Sequence, residues 1–147
     1  RSSRCRTASG LAAGSAKEHH GYMDTHPLQT IEQVLQGIDS GNADVILDAY
    51  ADDAEGIDEV SRGWMRGRDQ IAAYTRQLVA DLDSCSSELV DVHEAIIGDA
   101  AVVTGILCQD YSLAGEAQSV RMPATFVLRR DSGHWRVLLF HALPIPE

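Results

Sequence analysis

The sequence predicts an α+β fold in which three helices precede a four-stranded antiparallel sheet. In the first half of the chain, apolar residues recur at steps of three and four, the period of a helix that buries one face. After Ser84-Cys85-Ser86 the pattern changes to long runs that are typical of strands, with turn residues between them. Helices grouped before strands indicate an α+β fold rather than alternating βαβ units. The predicted long strands are Glu88–Ile97, Ala100–Tyr111, Val120–Arg130 and Trp135–Leu143.

Capping residues delimit the first two helices. Asp24 or Thr25 can cap the first helix, and Pro27 suits its first turn. Gly41 is expected to end this helix, and Asn42 to cap a second one. The apolar stripe that the first helix is expected to bury consists of Leu28, Ile31, Leu35 and Ile38.

The segment after the second helix is expected to carry a functional carboxylate. The helix is predicted to end at Tyr50, and short strand candidates follow at Ile57–Val60 and Trp64–Arg66. A third helix is predicted from residue 68 or 69 to about residue 82. Asp58 lies at an inward-facing strand position, where a carboxylate is costly unless it is hydrogen-bonded, charge-paired or used in chemistry.

The last two strands can be paired in register from the turn between them. Asp131-Ser132-Gly133 suits a three-residue loop, which places Thr125 opposite Leu139 and on the same face as His141. Both faces of this hairpin are apolar, so both need a cover. The helices can cover one face, and a second copy of the chain is expected to cover the other. The face assigned to this homodimer contains Phe126, Leu128, Leu138 and Phe140.

Composition narrows the possible partners and locations. The chain has 147 residues, of which 44% are hydrophobic, and a formal net charge of −10. One domain is expected, and neither nucleic acid nor an anionic membrane is an expected partner. No apolar run approaches the roughly 20 residues that cross a bilayer. The three cysteines share no C-x-x-C spacing, which favours reduced thiols in a cytoplasmic protein.

The domain is expected to span residues 23–147, after a flexible extension or artificial leader at residues 1–22. No H-E-x-x-H, G-x-G-x-x-G, Walker or G-x-S-x-G motif occurs in the chain. The sequence therefore predicts binding, or chemistry that needs neither a metal nor another cofactor.

Six short motifs follow one another in a characteristic order: Gly41-Asn42, Ala51–Ala54, Gly67-Arg68, Gly98–Gly105, Thr125–Arg130 and Trp135–Val137. In this order and spacing they resemble the nuclear transport factor 2-like superfamily, most closely its SnoaL-like group. The resemblance covers roughly residues 27 to 144. It implies a cone of curved antiparallel sheet closed by helices, as in a cystatin-like roll, with a pocket at the wide end and a dimer across the back of the sheet. The superfamily contains isomerases, cyclases, dehydratases and binding domains, so the fold does not settle the function.

Aligned through the second of these motifs, Asp58 falls where the related ketosteroid isomerases carry their general base. Such a base removes a proton from a carbon beside a carbonyl group. The family's oxyanion tyrosine aligns near Val34, which cannot donate a hydrogen bond, and its second donor aligns with Thr125. The alternative interpretation is that Asp58 pairs with Arg66 or Arg121, or caps a turn.

The remaining candidate residues also have structural alternatives. His141 shares a face with Thr125 and is a candidate acid, base or hydrogen-bond donor, although strand histidines more often satisfy a local bond. Aromatic side chains can wall a pocket, but at these spacings they are equally typical of ordinary core. The predicted pocket residues are Tyr50, Trp64, Tyr74, His93 and Arg121.

Two functions remain open at this point. The first is a dimeric module that binds a small, mostly apolar molecule. The second is a cofactor-independent isomerase or cyclase that acts on a carbonyl compound, with Asp58 as general base and His141 or Thr125 assisting. The missing oxyanion donors favour binding slightly, because catalysis of this kind depends on preorganised donors.

Overall fold

The computed structural model describes residues 26–146, so the expectations for residues 1–22 and for the caps Asp24 and Thr25 lie outside the described residues. The described part is α+β with a curved sheet, as predicted. Its elements are α1 (Pro27–Ser40), α2 (Ala43–Asp48), β1 (Tyr50–Asp58), β2 (Met65–Arg66), α3 (Arg68–Asp81), β3 (Leu82–Ile97), β4 (Ala100–Leu113), β5 (Glu116–Asp131) and β6 (His134–Ala142).

The turn between α1 and α2 follows the predicted capping pattern. Gly41 ends α1 in the left-handed region, with φ of 70°, which glycine adopts without a Cβ penalty. The Asn42 side chain then accepts a hydrogen bond from the Val45 N–H at 3.2 Å and caps α2. α2 is shorter than predicted, because it ends at Asp48 and Tyr50 is already the first residue of β1.

One sheet of six strands, in the order β2-β1-β6-β5-β4-β3, spans the described residues. Strands β3 to β6 form the predicted antiparallel meander. β1 runs parallel to β6, a pairing that the sequence pattern did not predict. Tyr50 lies opposite Val137 and Asp58 opposite Ala142, with a register shift between Tyr50 and Glu55. The two ends of β1 are thus attached to the same neighbouring strand.

The predicted three-residue loop between β5 and β6 is wrong. Asp131 pairs directly with His134, which leaves a two-residue turn at Ser132 and Gly133. Both turn residues have positive φ, 51° and 82°, the conformation whose twist suits a two-residue hairpin. With a further register shift between Val127 and Leu128, Thr125 lies opposite His141 rather than Leu139.

The face that sequence analysis assigned to a homodimer is instead the face that packs inside this chain. Phe126, Leu128 and Phe140 are buried at 4%, 0% and 8% exposure, and Leu138 packs against the same core. The opposite face of the hairpin, which includes Val127 and Leu139, is partly exposed. The covers were exchanged, because an apolar pattern alone does not say which face the helices cover. The register shift between Val127 and Leu128 also moves Val137, predicted on the face of Thr125, to the buried inner face opposite Leu128.

The helices are joined to the inner face of the sheet by specific contacts. The Thr30 hydroxyl of α1 donates to the Trp135 carbonyl oxygen of β6 at 2.9 Å. At β1, a Cβ on Gly56 would overlap the ring of Phe140. Glycine at this position therefore leaves room for the Phe140 ring, which forms part of the inner wall.

Within residues 26–146, no helix is long and apolar enough to cross a membrane.

Of the two cysteines in this part of the chain, Cys85 is a free thiol and Cys108 is disulfide-bonded. The expectation of reduced thiols is therefore wrong for Cys108.

Candidate functional site

A cavity of about 80 Å³ lies between the helices and the inner face of the sheet. Most of its wall is apolar, and all three helices and five of the six strands contribute residues to it. The apolar part of the wall consists of Val34, Leu35, Ile38, Ile46, Val60, Leu78, Leu82, Leu107, Met122, Phe126, Phe140 and Ala142. An apolar wall with a few polar groups is typical of sites that bind small molecules.

Asp58 is the central polar group of the cavity. One carboxylate oxygen, Oδ1, accepts hydrogen bonds from the backbone N–H groups of Val60 at 3.0 Å and Ser61 at 2.8 Å. The other oxygen, Oδ2, accepts from the Tyr74 hydroxyl at 2.5 Å. Asp58 therefore caps the turn that follows β1, as the alternative interpretation expected, and also lines the cavity. These three donors fix the orientation of the carboxyl group.

Tyr74 reaches this carboxylate from α3. Its pKa is raised above the ordinary value by burial, by the charge of Asp58 and by the hydrogen bond that it donates to Asp58. The phenol therefore remains protonated at neutral pH and keeps its proton directed at Oδ2. The pair fixes the orientation of both side chains at one end of the cavity.

Tyr50, the first residue of β1, lines the same cavity and is only 6% exposed. Its ring packs against Phe140, with centroids 5.8 Å apart and an interplanar angle of 65°. Burial, and then the charge of Asp58, raise its pKa above the ordinary value, so the hydroxyl stays neutral. Among residues 26–146, no buried side-chain oxygen or nitrogen lacks a hydrogen-bond partner.

A second carboxylate and tyrosine face the cavity beside the first pair. The Tyr111 hydroxyl of β4 donates to Glu59 Oε2 at 3.4 Å. Burial, and then the charge of Glu59, raise the pKa of Tyr111 to about 12. Burial also raises the pKa of the Cys85 thiol to about 11, so this lining residue is a neutral thiol at pH 7.

The predicted site residues are only partly brought together. Asp58, Tyr50 and Tyr74 line the cavity. His141 and Thr125 are directly opposite each other on β6 and β5, but neither lines the cavity. Both lie on the partly exposed outer face, so a role beside Asp58 is not supported by their positions.

The other three predicted pocket residues also lie away from the cavity lining. Trp64 is 43% exposed and its ring is 6.4 Å from that of His141. His93 is exposed and lies 3.3 Å from Asp91 in an ion-pair geometry. Arg121 is exposed on β5. The sequence did not determine on which face of its strand His93 lies. In the structure, His93 lies opposite Thr104 on the outer face.

Sequence reasoning missed Glu59, Cys85 and Gln109 as lining residues. The available signal was the two-residue period of β4, since Leu107, Gln109 and Tyr111 all point to the cavity side. Extending that period from the buried Leu107 toward the end of the strand identifies the polar residues of the site.

The acidic residues of β1 differ in their partners. On the surface, Asp53 lies 2.8 Å from Arg129, and this hydrogen bond holds the pKa of the Asp53 carboxyl below its usual range. Glu55 lies 3.0 Å from Arg66. No arginine, lysine or histidine lines the cavity, and within residues 26–146 no basic side chain forms an ion pair with Asp58. No group of histidine, cysteine and acidic residues in this part of the chain could hold a metal ion.

The family model described as the SnoaL-like domain matches residues 28–143. No relative was found among curated proteins.

Three solved structures share the fold at low sequence identity. A proposed dehydratase of the nuclear transport factor 2-like family from Streptomyces avermitilis is 19% identical with a TM-score of 0.74, over 82% of this chain and 94% of that one. A proposed aromatic ring hydroxylase from Novosphingobium aromaticivorans is 16% identical with a TM-score of 0.75, over 82% and 87%. A proposed calcium/calmodulin-dependent protein kinase II association domain from Xanthomonas campestris is 21% identical with a TM-score of 0.72, over 82% and 86%.

The raised pKa of Tyr74 predicts a loss of stability in alkaline solution. The folded chain keeps this proton at pH values where the unfolded chain releases it, so the contribution is complete below about pH 10 and falls as the pH rises further. In Tyr74→Phe, the decline of the unfolding free energy above about pH 10 should be shallower by about 1.4 kcal/mol per pH unit. At pH 7 this variant should lose about 2 kcal/mol, because a charged hydrogen-bond acceptor loses its donor.

Urea unfolding at a series of alkaline pH values measures both effects. Trp64→Phe is the control, since it changes an exposed ring without removing an ionisable group. Equal alkaline slopes for the wild type and Tyr74→Phe would show that the tyrosine proton is not held by the folded chain.

Proposed function

The chain belongs to the SnoaL-like domain family, and on this premise we propose that it binds a small, mostly apolar molecule in the cavity that Asp58 lines. The observation that carries the proposal is the combination of an apolar wall with one fixed polar end, where Tyr74 donates to Asp58. Such a wall favours an apolar body through the hydrophobic effect, and the polar end can orient it.

The cavity volume limits the size of this molecule. At about 80 Å³ it is smaller than the roughly 300–1,000 Å³ of a typical drug-sized site. A ligand about the size of a single ring therefore fits the cavity as it stands. A larger ligand requires the helices to separate from the sheet.

Toluene is a suitable probe for the apolar part of the site. We expect saturable binding by calorimetry, and we expect Leu78→Phe to weaken it about tenfold, because the larger side chain fills the cavity from α3. Leu89→Phe is the matched control, since Leu89 is also partly buried but does not line this cavity. Equal losses in both variants, or no saturable binding to the wild type, would reject the proposal. Native mass spectrometry of freshly purified protein tests separately for a natural occupant.

A second candidate function is proton transfer by Asp58 on a carbonyl compound, as in an isomerase, a cyclase or a dehydratase. The observation that favours it is a carboxylate oxygen, Asp58 Oδ2, at the edge of an apolar cavity. An apolar surrounding can raise the basicity of a carboxylate, and one structural neighbour is a proposed dehydratase. Oδ2 already accepts the hydrogen bond of Tyr74, which is why binding is the first proposal.

Exchange of the α-hydrogens of cyclohexanone in heavy water tests this candidate by NMR. If Asp58 acts as a base, the wild type accelerates exchange and Asp58→Asn loses about 100-fold or more of that acceleration. Asp52→Asn is the control, since this carboxylate lies on the same strand with its side chain 92% exposed. Absence of acceleration by the wild type, or the same rate in Asp58→Asn, would exclude the general-base role.

We also propose that the chain forms a homodimer through the outer face of β5 and β6. Support comes from the partly exposed apolar side chains of Val127 and Leu139 on that face, and from 37% exposure of the neighbouring Val102. Exposed apolar patches on a regular surface are typical of protein interfaces. The partner face is therefore the opposite of the one that the sequence pattern selected.

Sedimentation velocity at micromolar concentration tests the homodimer. The wild type should sediment as a dimer, and Leu139→Glu as a monomer, because a charge cannot be buried at the interface without a partner. Ile145→Glu is the control, since this residue is 73% exposed near the end of the described chain. A monomeric wild type, or a dimer that survives Leu139→Glu, would contradict the proposed interface.

A further inference from the structure

The disulfide of Cys108 needs a partner from outside the described residues. The chain has three cysteines, at positions 5, 85 and 108. Cys85 is a free thiol, whereas Cys108 is disulfide-bonded. Cys85 lines the cavity opposite Tyr111, which is three residues along β4 from Cys108, so the two sulfurs lie on opposite faces of the sheet. Within one chain, Cys5 is therefore the remaining partner.

The surroundings of Cys108 indicate that a further segment covers it. Cys108 lies on the outer face of β4, yet only 5% of it is exposed. The residues directly opposite, Glu88 on β3 and Arg121 on β5, are exposed, and so is Asp110 two positions along the same face. A disulfide holds the two bonded residues with their Cα atoms within roughly 7 Å, so the segment that carries the partner cysteine supplies this cover.

We infer that Cys5 is bonded to Cys108, and that residues 1–25 are thereby fastened to the sheet as a redox-sensitive strap. Formation of the bond removes one proton from each thiol and two electrons in total. A low-molecular-weight disulfide such as oxidised glutathione takes up both protons and both electrons by exchange and is reduced to two thiols. A dithiol such as dithiothreitol reverses the step and releases the strap.

The topology of the sheet gives the strap a short route. It joins Pro27, where α1 begins on the inner side, to Cys108 on the outer side. Among the described strands, β3 alone lies between β4 and the nearer edge of the sheet. Residues 6–26 can extend to roughly 70 Å, so their length does not limit this route. The strap therefore crosses the free edge of β3, and reduction uncovers this edge.

A groove at the β3 edge connects the two ends of this route. It has a volume of about 230 Å³ and lies between α1 and β3. Residues 87–89 all line it, so the groove follows the edge of the strand rather than one of its faces. Leu28, in the first turn of α1, and Glu88, directly opposite Cys108, both belong to its wall. The strap thus begins and ends beside the same groove.

Charge favours the same route. The groove is lined by the carboxylates of Glu32, Asp39 and Glu88 and by no basic side chain. Arg4 and Arg6 flank Cys5, and residues 1–22 have a net charge of +3, from four basic residues and one acidic residue. Each exposed ion pair contributes little, so the charges direct the strap into the groove and the covalent bond holds it there.

Peptide mapping tests the bond. The full chain is equilibrated with oxidised glutathione, its remaining thiols are blocked with iodoacetamide in denaturant, and it is cleaved after glutamate without reductant. Residues 1–18 and 95–116 should form one linked peptide from a monomeric chain and should separate in dithiothreitol. Cys108 in any other state, whether free or bonded to Cys85, to glutathione or to a second chain, would overturn the inference.

Thermal unfolding measures what the bond contributes. Because it closes a loop of roughly 100 residues, oxidation should raise the Tm of the wild type by about 10 °C and leave that of Cys5→Ser unchanged. Cys85→Ser is the matched control, since it removes the free thiol and should keep the increase of the wild type. An equal increase in Cys5→Ser and the wild type would contradict the assignment.

Cleavage by trypsin after Lys17 tests the route of the strap. This cleavage should be about tenfold slower in the oxidised wild type than in Cys5→Ser, because a docked segment must open before it is cut. Glu88→Gln should accelerate it about threefold in the oxidised chain. Glu94→Gln is the control, since Glu94 is also exposed on β3 but does not line the groove. Equal rates in the oxidised wild type and Cys5→Ser, or equal effects of the two glutamate variants, would overturn the route over β3.

Discussion

The parallel pairing of β1 with β6 is the interaction on which the site depends. It holds Tyr50 opposite Val137 at one end and Asp58 opposite Ala142 at the other, so both polar groups of β1 face the inner side of the sheet. The meander of β3 to β6 contributes much of the apolar wall and also Cys85, Gln109 and Tyr111. The central carboxylate of the cavity and the Tyr50 ring therefore come from one strand, β1, which lies between β2 and β6 in the sheet.

The same strand separates two kinds of acidic residue. Asp53 and Glu55 are exposed and lie beside arginines, where water screens each pair and its net contribution to stability is small. Asp58 instead has backbone N–H groups and the Tyr74 hydroxyl as donors, which satisfy the oxygens without neutralising the charge. The distinction explains how a chain with a net charge of −10 keeps a carboxylate at an apolar wall without a basic neighbour among the described residues.

The parts of the fold with strong local signals were predictable from the sequence. The caps at Gly41 and Asn42 and the long strands after Cys85 have clear turn chemistry or a regular period, and the structure follows them. β1 was not predicted at its full length, because a parallel partner far away in sequence stabilises it and its own pattern is polar. Asp58 lines the cavity, whereas Thr125 and His141 lie on the outer face, since strand alternation does not reveal which face the helices cover.

The register shift in β1 has a consequence for how this site can change through evolution. From Tyr50 to Glu55 the strand advances five residues, whereas the partner strand β6 advances only from Val137 to Leu139. The additional residues of β1 therefore lie outside the regular pairing. Because neighbouring strand positions face opposite sides, a change of one residue in this segment would exchange the inward positions of Asp58 and Ile57. A single insertion that shifts the pairing would bring Ile57 to the position of Asp58 and replace the carboxylate by an apolar group, whereas a deletion would bring Glu59 there. The irregular segment is thus a place where relatives with the same architecture can acquire a different chemistry in one step.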